Sequence, residues 1–211
     1  MTISFEEQLT AELVQRFAVR VVLLYGSCAR GTSTPESDVD VVCFVADERR
    51  FPTTYCWQGC VIDAWLHPLA DARDERAFLK LHDGRLLLDE AGVGASLLAR
   101  VQAQLAQPPS RLCDEEAERL RVWLWRMLRR AQRNDVSGHY RRHWLLYELL
   151  DVWCVLQGVR NLGPDLALRE LAQRAPQTHA ALCGALSPDA NFKALERAVS
   201  SVTGQTRAPF G

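Results

Sequence analysis

The residues best suited to chemistry lie in one stretch of the 211-residue chain, VVLLYGSCARGTSTPESDVDVVCFV, residues 21–45. It holds the pair Gly26-Ser27 and, after a spacer of ten residues, the triplet Asp38-Val39-Asp40. Side chains of a strand alternate between its faces, so Asp38 and Asp40 project together. Two carboxylates held side by side repel each other unless a cation lies between them. Hard, oxygen-liganded Mg²⁺ suits such a pair. Glycine at 26 permits a tight turn, and serine at 27 is placed to cap a short helix after it. A helix start offers backbone N–H groups to an anion, and phosphate fits there. The stretch therefore sets an anion cradle beside a cation site.

Several elements must position these groups. Residues 21–25 form a continuous apolar, β-rich run, as in a strand covered on both faces. After a polar loop with Pro35, residues 38–42 read as a second strand. Residues 51–57 and 60–66 read as a hairpin about Gln58-Gly59. Its returning strand carries Asp63 within VIDAWL, and a lone carboxylate in such a run is costly to bury without a partner. The reading is that Asp63 faces the acid pair; an acid on an exposed edge strand is the plain alternative. Upstream, Ser4 caps a helix with Glu6 and Glu7 in its first turn and Phe5, Leu9, Leu13 and Phe17 as its apolar stripe. Downstream, residues 69–81 are expected to form a helix, 84–89 a short strand and 93–105 a helix.

Gly26, Ser27, Asp38 and Asp40, in this order and each bounded by a strand, resemble the signature of the nucleotidyltransferase superfamily that includes DNA polymerase beta. The chain reads Gly26-Ser27-Cys28-Ala29-Arg30-Gly31 and Ser37-Asp38-Val39-Asp40, similar to small bacterial members of that superfamily. The resemblance implies an α+β N-terminal nucleotidyltransferase domain with a mixed sheet. It implies that Asp38, Asp40 and Asp63 are catalytic and hold two Mg²⁺ ions. It implies that Gly26, Ser27, Arg30 and Ser37 bind the nucleotide. The third acid's spacing varies in the family, so Asp63 is assigned by its setting.

Pro108-Pro109 interrupts the helical pattern, because proline cannot continue a helix. The expected domains are a catalytic one at 1–107 and a helical bundle at 111–211 that completes an acceptor cleft. In the bundle, one helix is expected from 114 to about 135 and a second at 144–156 with Gly158 as its stop. A third starts at Pro164, two more span 176–186 and 188–202, and 204–211 form a loose tail. The likeness here is of architecture only, to aminoglycoside nucleotidyltransferases that carry their own helical half. Lysine is common near the position of Asp165 in such proteins and is missing here. Glu148 stands alone in the apolar helix WLLYELLDVW and is the acceptor-side candidate, with pairing to Arg141 or Arg142 as the plain alternative. Tryptophans 123, 125, 144 and 153 have helical spacing and are expected to pack in the core rather than stack an acceptor.

Composition narrows the classes. The chain is 48% hydrophobic, enough for a core, and no apolar run approaches the roughly 20 residues of a membrane span. The N-terminus MTISFEEQLT has neither region of a signal peptide, so a cytoplasmic protein is expected. Seven cysteines occur with no CxxC spacing, and reduced, mostly buried thiols are expected. The net charge of -1 divides into -5 over residues 1–107 and +4 over 108–211. An acidic, metal-binding half beside a basic half suits a triphosphate, whereas the positive balance is too modest to favour nucleic acid.

The implied activity is transfer of a nucleoside monophosphate from ATP or another NTP to a hydroxyl of a small-molecule acceptor of aminoglycoside-like type, releasing pyrophosphate. Two alternatives stand beside it: protein adenylylation of the antitoxin type, and an NTP-binding sensor without catalysis. A homodimer is an open assembly.

Overall fold

A computed structural model describes residues 3–90, 92–206 and 208. The chain divides into two compact units, Met1–Gln107 and Pro108–Gly211. The first unit is α+β. Helix α1 (Phe5–Phe17) starts with a reciprocal capping box. The Glu7 N–H donates to Ser4 Oγ (3.2 Å), and the Ser4 N–H donates to the Glu7 carboxylate (2.8 Å). Strands β1 (Val19–Tyr25), β2 (Val39–Val45), β3 (Phe51–Trp57), β4 (Cys60–Pro68) and β5 (Arg85–Asp89) form one sheet in the order β3-β4-β2-β1-β5. The β2–β4 pairing is parallel and the others are antiparallel. Gln58 (φ 47°) and Gly59 (φ 79°) make the two-residue turn of the β3–β4 hairpin, both in the left-handed region that such turns require.

Alternation along the central strands gives the sheet two apolar faces. Val22, Leu24, Val39, Val41 and Cys43 pack with Leu9 and Leu13 of α1. Val21, Leu23, Val42 and Phe44 pack on the other side with Phe78, Leu81, Leu97 and Val101. The last two belong to α3 (Val93–Ala106). The 69–81 region, expected as one helix, is instead two 3-10 segments, Leu69–Arg73 and Glu75–Asp83. The break is at Asp74, whose side chain accepts the Arg76 N–H (3.2 Å) in place of a continuing helical bond. Leu69, Ala72, Phe78 and Leu81 all face this core at multiples of three residues, and a 3-10 turn of three residues keeps such a row on one side.

The second unit is helical: α4 (Asp114–Ala131), α5 (Val136–Gln157), α6 (Pro164–Arg174), α7 (Pro176–Leu186) and α8 (Phe192–Thr203). Its core includes Leu124, Trp125, Leu145, Leu149, Trp153, Leu171 and Leu195. Helix α4 stops at Ala131, short of the expected 135, because Asp135 caps α5 by accepting the Gly138 N–H (2.7 Å). A Cβ at Gly138 would lie 1.9 Å from the Arg133 carbonyl oxygen, so only glycine lets the chain turn that tightly. Helix α5 consequently begins eight residues before the expected Trp144. It ends, as expected, at Gly158 in the left-handed conformation. Helix α8 begins at Phe192 rather than 188, because Asn191 supplies its cap (Ala194 N–H to Asn191 Oδ1, 3.1 Å). Of the expected tail, residues 207 and 209–211 lie outside the described residues.

All seven cysteines are free, but only Cys43 and Cys154 are buried; Cys56, Cys113 and Cys183 are exposed. They sit on outward positions of β3, before α4 and on α7, which the alternation of each element does not turn inward. Among the described residues no helix is long and apolar enough to cross a membrane.

Candidate active site

Strand β1 ends at Tyr25, and the chain turns at once into the five-residue helix α2 (Gly26–Arg30). Gly26 has φ 75°, and a Cβ there would stand 2.5 Å from Asp40 Oδ2. Only glycine therefore lets the Asp40 carboxylate rest against the turn. Ser27 was expected to cap α2. It is instead the second residue of the helix, with Tyr25 at the cap position and no side-chain cap there. The capping acceptor comes from far along the chain: the Gly26 N–H donates to Asp83 Oδ1 (3.4 Å). Asp83 Oδ2 takes Arg30 Nη1 at 2.5 Å. One carboxylate thus ties both ends of α2.

The loop after α2 is held by Ser37. Its Oγ accepts the Thr34 N–H (2.9 Å), and its own N–H donates to the Thr34 carbonyl (3.0 Å). Its hydroxyl is engaged in shaping the loop that delivers Asp38. Cys28 Sγ donates to the Asp38 carbonyl (3.4 Å), which fastens that loop to α2.

Register then assembles the acids. Asp40 on β2 stands opposite Tyr25 on β1 and level with Asp63 on the parallel strand β4. Strand β4 lies between β3 and β2, so Asp63 is on an interior strand, not an exposed edge. Thr54 is its cross-strand partner on β3, and Thr54 Oγ1 donates to Asp63 Oδ1 (2.9 Å). Asp38, Asp40 and Asp63 each offer a carboxylate oxygen, and these atoms lie within 4.8 Å of one another.

The proximity has an electrostatic consequence. Burial, and then the charges of Asp38 and Asp63, push the Asp40 carboxyl up to about 6, against the opposing pull of Lys80 and Arg30. Tyr25 is likewise raised, first by burial and then by the surrounding carboxylates. Three convergent carboxylates, one of them reluctant to ionise, are an all-oxygen donor set suited to a hard divalent ion. The residues present therefore fit Mg²⁺.

The sequence reading missed four contributors: Thr54, Tyr25, Asp83 and Lys80. Thr54 was accessible in principle, since a two-residue hairpin turn at Gln58-Gly59 pairs 54 with 63. Lys80 lies in the 69–81 segment expected to be a helix and Asp83 just beyond it, where no local signal points either at the sheet. Lys80 Nζ donates to Tyr25 Oη (3.1 Å). Glu148 belongs to the helical unit, on α5, and accepts Trp144 Nε1 (3.0 Å). Of the two arginines named as its alternative partners, Arg142 donates to the Ala190 carbonyl. Trp125 and Trp153 are core residues as expected, whereas Trp144 is 42% exposed and meets Trp123 edge-on at 6.1 Å between ring centroids.

A mixed sheet that brings three acids together beside a glycine-led turn is the arrangement expected above of a nucleotidyltransferase domain. Residues 6–94 match the nucleotidyltransferase domain family, so the N-terminal unit is a nucleotidyltransferase domain and the chain a transferase. The chain is similar to a solved nucleotidyltransferase-like protein from Exiguobacterium sibiricum, with 12% identity and a TM-score of 0.45. That likeness covers 95% of this chain and 74% of the other. No curated protein sequence matches the chain.

Proposed function

We propose that the chain transfers a nucleoside monophosphate, from ATP as first donor, to a hydroxyl of a small-molecule acceptor with release of pyrophosphate. The observation that carries this reading is the convergence of Asp38, Asp40 and Asp63, with carboxylate oxygens within 4.8 Å, directly against the Gly26 turn. Asp38 and Asp40 would hold the divalent ions, and Asp63 would complete the acceptor side. Mg²⁺ bound there would stabilise the entering and leaving oxygens of an in-line displacement. Thr54 keeps Asp63 Oδ1 occupied, which leaves its second oxygen to face the acceptor. That oxygen takes the acceptor's proton as the new bond to phosphorus forms. Gly26 and Ser27 receive the phosphates, and Arg30, held by Asp83, adds positive charge to that cradle. Acceptor selection is assigned to the helical unit, with Glu148 as its carboxylate and an aminated, aminoglycoside-like compound as the acceptor class.

The test is Mg²⁺-dependent pyrophosphate release from each NTP with a panel of hydroxylated acceptors that includes aminoglycosides. The control is the Asp38→Ala/Asp40→Ala double variant. Release with a particular acceptor, lost in the control, is the expected result. Absence of NTP binding would sink the assignment.

A further inference from the structure

Lys80 projects from the second 3-10 segment, and two aromatic rings fix where its ammonium sits. Nζ lies 4.8 Å from the Tyr25 ring centroid and 4.7 Å from that of Trp65, and donates to Tyr25 Oη at 3.1 Å. Tyr25 is the register partner of Asp40, and Asp40 is level with Asp63. Trp65 stands two residues beyond Asp63 on β4 and so shares its face of the sheet. The ammonium therefore lies over the corner of the sheet where Asp40 and Asp63 meet. Burial lowers the Lys80 pKa below its ordinary value, and the charges of Asp40 and Asp63 oppose that lowering. Cation–π contact with two rings holds the flexible stem in place.

We propose that Lys80 is a built-in cation of the acid triad, which offsets the charge of Asp40 and Asp63 and makes the divalent ion on the acceptor side the last to be held. The inference rests on the reading above that the triad binds divalent ions. Without Lys80, three carboxylates would meet an entering ion with their full attraction. With it, that ion must approach a fixed positive charge, and its affinity falls roughly tenfold or more at the dielectric of a half-buried site. The ion is retained once the negative charge of a triphosphate has arrived. Nucleotide binding and completion of the metal site are coupled in this way, and Lys80 acts as a positioning residue rather than a ligand.

The experiment measures Mn²⁺ binding to the full chain without nucleotide, from the paramagnetic resonance signal of free Mn²⁺. Wild type, Lys80→Met and Lys80→Arg are compared, with thermal melts to establish folding. Lys80→Met is expected to bind Mn²⁺ roughly tenfold more tightly, and Lys80→Arg to behave as wild type. Adding Asp63→Asn to Lys80→Met is expected to abolish the gain. If Lys80→Met does not melt as a native protein, Lys80→Gln takes its place in the same titration. A purely packing role predicts unchanged or weaker binding on removal of the lysine, and either result overturns the inference. Equal binding by both proteins, with nucleotidyl transfer intact, would remove Lys80 alone. No Mn²⁺ binding by either would remove the divalent-ion reading and the inference together.

Discussion

Gly26→Ala tests the geometry of the site most directly, because a single methyl group meets both the backbone and the Asp40 carboxylate of the proposed metal site. Gly26 has φ 75°, a region where a non-glycine residue costs about 1–2 kcal/mol. The added Cβ would fall 2.5 Å from Asp40 Oδ2, against 3.4 Å for an ordinary contact, so the carboxylate must withdraw by about 0.9 Å. Asp40 cannot retreat along β2 without breaking its pairings with Tyr25 and Asp63. The displacement is therefore taken by its side chain, away from the point where the three acids converge. A misplacement near 1 Å at a reacting centre costs about 10²-fold in rate. The strain lowers the melting temperature by about 4–8 °C for each kcal/mol lost in a unit of this size. The assays are a thermal melt, Mn²⁺ binding, and pyrophosphate release under saturating NTP. Weakened Mn²⁺ binding with about a hundredfold loss of turnover is expected. Turnover within threefold of wild type, in a protein that still binds Mn²⁺ normally, would refute the argument that Asp40 depends on the bare turn.

Two further predictions follow from the electrostatics and from the helical unit. Asp40 has a folded pKa of about 6 against an ordinary 3.8, so the folded chain holds this proton more tightly than the unfolded one. Its contribution to the stability of the metal-free chain is full below about 3.8 and is lost as the pH rises through 6. Compared with Asp40→Asn, wild type should lose melting temperature between pH 5 and 7, while its Mn²⁺ affinity rises over the same interval. A Mn²⁺ affinity that is flat from pH 5 to 7 would contradict this account. Glu148→Gln keeps an oxygen for Trp144 Nε1 and should fold normally. It is expected to raise the acceptor KM roughly tenfold, the loss of one charge-assisted hydrogen bond, with the NTP KM unchanged. Equal acceptor use would take Glu148 out of acceptor recognition.

What could be read in the sequence was whatever depends on neighbours along the chain. The Ser4 cap, the apolar run into Gly26, the Asp-x-Asp alternation and the Gln58-Gly59 hairpin all follow from backbone preferences acting over a few residues. Asp63 could be singled out because a lone acid in an apolar strand demands a partner. The helix boundaries around 132–143 were misjudged because two competing caps lie close together. Asp135 and Gly138 win through a backbone contact that no spacing reveals. Residues 69–81 were read as an α-helix although their buried positions recur at three, a period that only the packed sheet face makes decisive. The parallel pairing of β2 with β4, which brings Asp63 level with Asp40, was beyond local reading, since β3 intervenes between them in sequence. The ties from Asp83 to Gly26 and Arg30, and from Lys80 to Tyr25, join residues more than fifty apart. Local propensity chose the acids and the turn. Long-range packing alone decided which oxygens converge, what holds the cradle, and that a lysine stands among them.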